Sequence, residues 1–362
     1  DCRCEAKLSS RSRWAILGTV GVPGNYGGFE TLAENLVMYH ASRDLNAQLT
    51  VYCSSKSIID QPKKFHNADL RYIGLDANGP QSILYDIISL FSAVRHKSDV
   101  IFLLGVSGAL ALPLIRVLSD VRILTNLDGV EWKREKWSGL ARLILKWSER
   151  IAVRYSQVVI ADNEAIAEHV KRRYGRDCKV IPYGGDHAIE AVPAEAPEFD
   201  VPSEPENNVG TILEAFSRMP QRALVFVGNW DKSDYGRSLR RTYGGFSNIT
   251  LLNPVYDSEN LRWIRDRAVA YVHGHSAGGT NPSLVEMMHF AIPVIAHGCR
   301  FNRYTTEESA LYFSTLGELI VAVEGLDKAR SRVIGTAMRE IALRRYTWDS
   351  VGRAYFDLAA GL

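Results

Sequence analysis

The chain has 362 residues, of which 46% are hydrophobic and 23% charged, values typical of a globular protein long enough for two domains. A net charge of +2 excludes a strong overall positive field, so a nucleic acid partner is not expected. Five irregularly spaced cysteines provide neither a disulfide framework nor a zinc-ligand pattern, which favours a reducing, cytoplasmic environment.

Apolar runs alternate with helix-like patterns through the first half of the chain. The predicted strands cover residues 13–18, 48–53, 70–74, 99–104, 121–126, 157–161 and 178–182. The predicted helices between them cover residues 28–42, 81–96, 108–119, 138–155 and 163–174. This alternation is typical of a parallel sheet with helices on both faces.

A glycine-rich turn, "GTVGVPGNYGG", connects the first predicted strand to the first predicted helix. It contains Gly18, Gly21, Gly24, Gly27 and Gly28. Glycines let other groups approach the backbone, and the amides and dipole of the following helix favour negative charge. The turn therefore indicates an anion site, and a tight turn that only packs the helix on the sheet is the alternative.

Two better-known anion loops do not fit this turn. Its glycines are spaced G-x-x-G-x-x-G-x-x-G-G and not G-x-G-x-x-G, and the second predicted strand ends in "CSSK", without an acid for a ribose hydroxyl. A P-loop is excluded because no Gly-Lys-Ser/Thr sequence occurs. A nicotinamide dehydrogenase is therefore disfavoured.

The most membrane-like stretch is "VIFLLGVSGALALPLI", residues 100–115. A membrane-spanning helix needs about 20 consecutive apolar residues, and this stretch is shorter and is interrupted by glycine and proline. We therefore predict a buried strand, a glycine turn and a core helix here.

The alternation breaks over residues 186–206, "DHAIEAVPAEAPEFDVPSEPE", which are rich in proline and acidic residues and predict a linker. Strands are then predicted at 222–228, 249–252, 269–273 and 292–296, with helices at 208–218, 234–243, 257–266 and 281–290, and only helices from there to the C-terminus. The chain is thus expected to be an α/β protein of two doubly wound, Rossmann-like domains facing each other across a cleft. The expected segments are an N-terminal domain, a linker, a C-terminal domain and a last helix, at 1–185, 186–206, 207–346 and 347–362.

A second strand–glycine–helix segment, "GHSAGGTNPSLVE", covers residues 274–286. Asn281 or Thr280 can cap the helix and Pro282 suits its first turn, so free amides would point outward. Glu286 lies on the second turn, where a carboxylate could hold a ribose diol beside a diphosphate; a solvated helix glutamate is the alternative. Two such glycine loops suit a nucleotide-sugar better than a nicotinamide cofactor.

Several longer motifs occur along the chain: "GTVGVPGNYGGFETL", "NLDGVEWKREKW", "ADNEAI", "YGGDHA", "EPENN", "GNWDKSDYGR" and "GGTNPSLVEMM". Together they resemble glycosyltransferase family 4, and more closely its bacterial rhamnosyltransferase-like branch of capsule and exopolysaccharide synthesis. The resemblance spans about residues 13–350. It implies a GT-B fold, a nucleotide diphosphate donor, retention of anomeric configuration, no required metal or other cofactor, and a last helix that crosses back onto the first domain.

The resemblance also implies roles for particular residues. Gly27 and Gly28 would lie under the donor diphosphate and the acceptor, and Glu286 would bind the ribose. The other donor contacts of that segment would be Gly279, Thr280, Asn281 and Ser283. The first of the family's paired glutamates falls at Gly278. Asp128 stands where many relatives have a histidine near the reacting carbon, and it would stabilise positive charge there or orient a sugar hydroxyl; holding its own turn is the alternative.

Two cations that neutralise the leaving diphosphate in the wider family are missing from this sequence. Aligned through "EPENN", their positions hold Pro202 and Asn208. Removing one electrostatic donor of this kind typically costs about 10²–10³ in rate, so substitutes are expected. Lys232 and Arg237 in "GNWDKSDYGR" are the nearest candidates, and exposed basic residues at a solvated helix start are the alternative.

Residues 131–155, "EWKREKWSGLARLILKWSERIAVRY", combine basic residues with three tryptophans. Such a helix can lie on an anionic membrane surface. The alternative is a helix packed on the sheet through its aliphatic residues Leu140, Leu143, Ile144 and Ile151, with its charges solvated. The acceptor is accordingly expected to be a saccharide or a lipid-linked saccharide, and peripheral association would place the protein at the inner face of the membrane.

The expected activity is sugar transfer, with rhamnose suggested by the resemblance alone. A nucleotide-sugar-binding pseudoenzyme is the main alternative, because the lost cations could abolish transfer, and a sugar-nucleotide epimerase shares the fold. The segment "NPVYD" at 253–257 is a candidate contact for the base. His273, His275 and His297 are expected to be loop and core histidines and not metal ligands.

Overall fold

The computed structural model describes residues 11–24, 27–127, 129, 139–190, 192, 208–253 and 257–361, without the side chains of residues 80, 140 and 141. These residues form two compact units. Unit 1 contains the described residues up to Ala161, together with Val170–Lys179 and the residues from Gly352 onward. Unit 2 contains Asp162–His169 and the described residues of Val180–Val351.

An eight-stranded sheet with flanking helices begins in unit 1. Its strands are β1 Ser12–Leu17, β2 Ala47–Ser54, β3 Lys64–Phe65, β4 Ala68–Ile73, β5 Val100–Leu104, β6 Arg122–Asn126, β7 Val158–Ala161 and β8 Lys179–Val180. Its helices are α1 Gly28–Ser42, α2 Ser82–Arg95, α3 Leu112–Leu118, α4 Gly139–Tyr155 and α5 Glu164–Tyr174, with short 3-10 helices at Gly79–Gln81 and Ser107–Ala111. All seven strands predicted for this half are confirmed, the last in shortened form.

The strand order is β3-β4-β2-β1-β5-β6-β7-β8. The paired strands from β4 to β7 are parallel, and Ile16 near the carboxyl end of β1 lies between Val51 of β2 and Phe102 of β5. The short strand β3, which was not predicted, pairs antiparallel with β4. The chain turns to opposite sides of β1, so the carboxyl ends of β1 and β5 form the switch point at which open α/β sheets bind ligands.

The predicted core helix at 108–119 is only half buried. Its place is taken by the 3-10 helix Ser107–Ala111 and by α3, whose residues Leu112 and Ile115 are fully buried. On its other side Leu114, Val117 and Leu118 are exposed. The prediction was wrong for that side, because a continuous apolar run shows no period that would separate a buried from an exposed face.

Unit 2 contains two groups of parallel strands. These are β9 Leu224–Val227 with β10 Ile249–Leu252, and β11 Tyr271–His273, β12 Val294–His297 and β13 Leu311–Phe313 in that order. The helices are α6 His187–Glu190, α7 Val209–Ser217, α8 Asp234–Tyr243, α9 Ser258–Asp266, α10 Pro282–Met288, α11 Arg300–Thr305, α12 Leu316–Glu324, α13 Lys328–Arg345 and α14 Trp348–Ala360. Trp230 is fully buried in the core of this unit, and its indole N–H donates to the carbonyl of Leu252 at 2.9 Å.

Two predictions for the second half need correction. The segment predicted as a linker from residue 186 begins with helix α6, which is anchored in unit 2. The segment predicted as helices alone after residue 296 contains the strand β13. Both elements have fewer than five residues, which is too short for a periodic pattern to be recognised in the sequence.

Helix α14 begins in unit 2 and ends in unit 1. In unit 1 its residue Phe356 stacks on Trp14 of β1, with ring centroids 5.3 Å apart. Its residue Tyr355 accepts a hydrogen bond from the side-chain amide of Asn126 at 2.7 Å. The described part of the chain contains no helix with the length and apolar character needed to cross a membrane.

Candidate functional site

The loop between β11 and α10, together with the first two turns of α10, holds five of the nine predicted donor contacts. Asn281 is the N-cap of α10, and its side-chain oxygen accepts the backbone N–H of Ser283 at 3.0 Å. Pro282 occupies the first turn, as the sequence predicted. The predicted cap is thus confirmed at Asn281, and it leaves the Ser283 amide unavailable to a ligand.

Glu286 lies on the second turn of α10, and its side chain is only 13% exposed. One carboxylate oxygen forms an ion pair with Arg265 of α9, whose side chain is 12% exposed. The other carboxylate oxygen lies 3.3 Å from Nε2 of His187 in α6. The alternative of a solvated helix glutamate is therefore excluded, and His187 and Arg265 are site residues that the sequence analysis missed.

A chain of hydrogen bonds determines the tautomer of His187. The indole N–H of Trp348 donates to Nδ1 of His187 at 2.9 Å. A neutral imidazole then carries its proton on Nε2, which donates to Glu286. The carboxylate of Asp186 accepts the backbone N–H of Trp348 at 2.9 Å, which holds the start of α14 beside α6.

The electrostatic environment keeps Glu286 ionised. Burial alone would raise the pKa of this carboxyl group, but the positive charge of Arg265 and the hydrogen bond from His187 outweigh it, so the pKa lies below its ordinary value. A carboxylate has about four acceptor positions, and these two partners use two of them. The remaining positions can accept hydroxyl groups from a ligand.

Close packing brings three distant motifs together around α10. A Cβ atom at Gly185, in "YGGDHA", would lie 2.7 Å from the backbone nitrogen of Glu286, so α6 and α10 can approach only over glycine. A Cβ atom at Gly279 would collide with the carboxylate of Asp162, in "ADNEAI". The Thr280 hydroxyl donates to the backbone carbonyl of Asp162. The loop is thus supported by residues more than 100 positions earlier in the sequence.

The candidate cations for the diphosphate differ in their surroundings. Arg237 is paired with Asp234 at 2.6 Å, so part of its charge is already compensated. Lys232 is exposed, and no described residue pairs with it. The side-chain amide of Asn208, at a position where the family has a cation, donates to the carbonyl of Gly274 at 2.7 Å. Of these three, Lys232 is the one whose side-chain charge no described residue compensates.

The glycine-rich turn of unit 1 is occupied in part by the chain's own acid. Gly18 has a φ of +87°, and a Cβ atom there would collide with the carbonyl of Leu104 at the end of β5. The carboxylate of Glu30, in the first turn of α1, accepts the Val20 amide at 2.9 Å and the Thr19 hydroxyl at 3.2 Å. The same carboxylate fills the space beside Gly27 that a side chain would need.

This arrangement changes what the turn can bind. A carboxylate beside the start of α1 repels a second anion and uses a backbone amide that a phosphate would need. It accepts hydrogen bonds from hydroxyl groups instead. The predicted anion site at Gly27 and Gly28 therefore contains the negative charge of Glu30. The sequence carried a signal for this, because a glutamate three residues after Gly27 can reach back over the helix start.

A second buried carboxyl group, Asp86 of α2, lies in unit 1. It is 5% exposed, and no described residue forms a hydrogen bond or ion pair with it. It packs against Gly108, where a Cβ atom would lie 2.7 Å from the Cβ of Asp86. Burial raises the pKa of Asp86 to about 8. Nothing in the sequence marks Asp86 as unusual, because it lies in an otherwise ordinary helix pattern.

The histidines near β11 belong to the core and its loops. Burial, together with the neighbouring His275 and His297, lowers the pKa of His273 to about 3, so this residue is neutral. The Tyr271 hydroxyl lies 3.1 Å from Nδ1 of His273. Within the described ranges, no group of three or more His, Cys, Asp or Glu side chains could hold a metal ion.

Some predicted positions lie outside the described residues. These are Asp128, Pro202, Trp132, Trp137 and residues 254–256 of the proposed base contact.

Solved structures with a similar fold are known. The chain superimposes on a sucrose-phosphate synthase from Thermosynechococcus elongatus with a TM-score of 0.78 and 19% identity, covering 97% of this chain and 100% of that one. For Anabaena HepE in complex with UDP-glucose the TM-score is 0.68 at 16% identity, with 97% and 100% covered. For MnaA of S. aureus in complex with UDP it is 0.62 at 15% identity, with 96% and 97% covered.

These likenesses show that the chain has the α/β GT-B fold, built from Rossmann-like domains, as the sequence predicted. At the level of sequence, residues 12–186 match a family described as a domain of unknown function, DUF1972. A comparison with curated protein sequences gives no match.

Proposed function

We propose that the protein is a glycosyltransferase that moves a sugar from a nucleotide diphosphate donor to a saccharide or lipid-linked saccharide acceptor. The observation that carries this proposal is the buried, ionised carboxylate of Glu286, held by Arg265 and His187 on the helix that follows β11. In open α/β folds ligands bind beyond the carboxyl ends of the strands, where this helix begins. Its two remaining acceptor positions suit the two neighbouring hydroxyl groups of a ribose.

The comparisons support a nucleotide diphosphate as the donor group. HepE has been solved with UDP and with UDP-glucose, and MnaA with UDP. In the present chain the donor would contact the loop of Gly279, Thr280, Asn281 and Ser283, with its ribose on Glu286. Lys232 would neutralise the leaving diphosphate, and Arg237 would do so only after separating from Asp234.

We assign the glycine-rich turn of unit 1 mainly to the acceptor. The Glu30 carboxylate fills the space beside Gly27 and favours hydroxyl groups over phosphate, and the neighbouring Gly28 has no side chain to block them. Asp128 is proposed to act at the anomeric carbon, where a carboxylate would stabilise the positive charge of an oxocarbenium-like sugar. Replacing Asp128 by Asn should then spare nucleotide binding and lower kcat severely.

The finer assignments follow the sequence resemblance. We propose retention of anomeric configuration, no metal requirement, rhamnose as the transferred sugar and a role in bacterial surface polysaccharide synthesis. Addition of EDTA to an active preparation tests the metal requirement, because a metal-independent transfer keeps its rate. The anomeric configuration of an isolated product, measured by NMR, tests retention.

The deciding experiment is thermal unfolding with UDP, TDP and GDP and with their common sugars. A ligand at about 100 times its dissociation constant stabilises the folded protein by roughly 2.7 kcal/mol. We expect one nucleotide class to raise the unfolding temperature of the parent protein. The Glu286→Gln variant should lose this increase. The matched control is Glu340→Gln, because Glu340 is an exposed helical glutamate on α13.

The outcomes separate the competing functions. A shift that both variants retain would remove Glu286 from the binding site. A shift without turnover on any acceptor would favour the nucleotide-sugar-binding pseudoenzyme. The absence of a shift with every nucleotide would contradict the proposed donor class.

A further inference from the structure

One side of unit 1 is apolar where a water-facing surface should be polar. Six large apolar side chains from the 3-10 helix Ser107–Ala111 and from helices α3 and α4 are exposed there: Leu110, Leu114, Val117, Leu118, Leu143 and Trp147. We call this set the apolar face. The 3-10 helix and α3 both pack against α4, so these side chains belong to neighbouring elements.

The spacing within the apolar face is that of one helix side. Leu110, Leu114, Val117 and Leu118 stand at positions i, i+4, i+7 and i+8, which project in one direction from a helical segment. Val117 is 82% exposed and Trp147 is 53% exposed. Single exposed apolar residues are common on proteins, but six of them on three elements that pack together indicate an interaction surface.

The exposed charges of α4 are all positive. Arg142, Lys146, Arg150 and Arg154 are exposed on this helix. Its single acid, Glu149, is buried and accepts a hydrogen bond from the Tyr174 hydroxyl at 2.6 Å. The guanidinium group of Arg150 lies 5.6 Å from the ring centre of Trp147, which places a positive charge directly beside the apolar face.

We propose that the apolar face is a docking surface for an anionic lipid membrane. Apolar side chains beside a row of basic ones suit the boundary between the acyl chains and negatively charged headgroups. A second copy of this chain suits it less well, because a two-fold contact would bring the α4 cations of both copies together. The inference does not depend on the proposed transferase activity, although it would bring the enzyme to a lipid-linked acceptor.

The test is co-sedimentation of the full chain with vesicles of phosphatidylcholine alone or of phosphatidylcholine with phosphatidylglycerol. We expect binding to the anionic vesicles and weaker binding at high salt, since headgroup attraction is screened. Replacing Val117 by Glu should lower the fraction of protein bound to the vesicles at least about tenfold, because it removes an apolar side chain that would insert into the lipid and adds a charge of the same sign as the headgroups. Arg150→Gln should lower vesicle binding about fivefold, and only for the anionic vesicles.

A matched control is available in unit 2. Val269 is 85% exposed, close to the 82% of Val117, lies before β11 and is not a member of the apolar face. Val269→Glu should leave vesicle binding unchanged. Because both valines are exposed, both variants should keep the circular dichroism and the Tm of the parent protein.

Three results would overturn the proposal. The first is a parent protein that binds neither type of vesicle at low salt. The second is equal binding by Val117→Glu and Val269→Glu. The third is a dimer in light scattering that only Val117→Glu converts to a monomer, since the apolar face would then be covered by a second copy of the chain.

Discussion

Two carboxyl groups are buried in the protein, and at neutral pH Glu286 in unit 2 is ionised whereas Asp86 in unit 1 is protonated and uncharged. Glu286 is bound by Arg265 and His187, and its pKa lies below the ordinary value in spite of burial. Asp86 has no hydrogen-bonding or ionic partner among the described residues, and burial raises its pKa to about 8. Burial is common to both, so the partners decide whether a buried carboxyl group is charged.

The two protonation states also allow different hydrogen bonds to a ligand. An ionised carboxylate such as Glu286 only accepts hydrogen bonds, which suits the hydroxyl groups of a ribose. A neutral carboxylic acid such as Asp86 can also donate one.

The largest expected effect comes from removing the cation that keeps Glu286 ionised. Arg265→Ala leaves a buried carboxylate without its ionic partner, and we expect a loss of roughly 3–5 kcal/mol in the free energy of unfolding. Urea unfolding measures this loss. Arg332→Ala, at an exposed arginine of α13, is the control and should change stability by less than about 0.5 kcal/mol. Equal effects of the two substitutions would mean that the ion pair contributes nothing.

Asp86 should make the free energy of unfolding fall as the pH rises. Its pKa is about 8 in the folded state, against 3.8 for an unperturbed aspartic acid, so the folded state holds the proton more strongly. The resulting stabilisation is complete below the unfolded pKa and is lost as the pH rises towards 8, at up to about 1.4 kcal/mol per pH unit. Asp86→Asn should abolish this slope. Unfolding in urea at several pH values between about 5 and about 8 tests it, and parallel curves for parent and variant would contradict it.

A smaller effect is expected from the hydrogen bonds that orient Glu286. Trp348→Phe removes the N–H that determines the His187 tautomer, at a cost of roughly 0.5–1.5 kcal/mol in stability. His187→Ala removes the bond to Glu286 as well, and we expect a loss of roughly 1.5–3 kcal/mol, since the bond is to a charged group. If the network positions Glu286 for ribose, both variants also raise the Kd for the nucleotide in calorimetric titration. A change in stability with an unaltered Kd would leave these two residues with a structural role only.

The smallest effect on stability is expected from a new carboxylate at the N-cap of α10. Asn281→Asp keeps a side chain that caps α10 equally well, so the free energy of unfolding should change by less than about 0.5 kcal/mol. Asn281→Ala, which cannot cap the helix, should cost about 1 kcal/mol. The Asp variant should nevertheless weaken binding of a nucleotide diphosphate by charge repulsion, and calorimetry at low and high salt would show whether the difference is screened.

Much of the fold was predicted from the sequence because its signals are local. Strands β1, β2, β5, β6 and β7 appear as apolar runs, and the end of each run is decided by residues within a few positions. The cap of α10 was predicted for the same reason, since an N-cap binds an amide two residues away. Short elements such as α6 and β13 were missed, because fewer than five residues cannot show a period.

The candidate site was predicted in part. Glu286 was recognised from its place on the helix after a glycine loop, but its partners lie 99 positions earlier at His187 and 21 positions earlier at Arg265. The charge that Glu30 brings to the turn of unit 1 was missed, although a glutamate three residues after the N-cap position Gly27 can reach back over the helix start. The exposure of the apolar face was missed because an apolar run predicts burial.

By itself the sequence determined the alternating α/β architecture, the two strand–glycine–helix loops and the residues that surround them. Those features depend on φ preferences, capping and apolar periodicity, which neighbouring residues decide. Only the tertiary structure decided that Glu286 is charged, that Asp86 is neutral and that one side of α3 faces outward. Each of these depends on which groups from distant parts of the chain lie within a few ångströms, because desolvation and ion pairing act through space and not along the sequence.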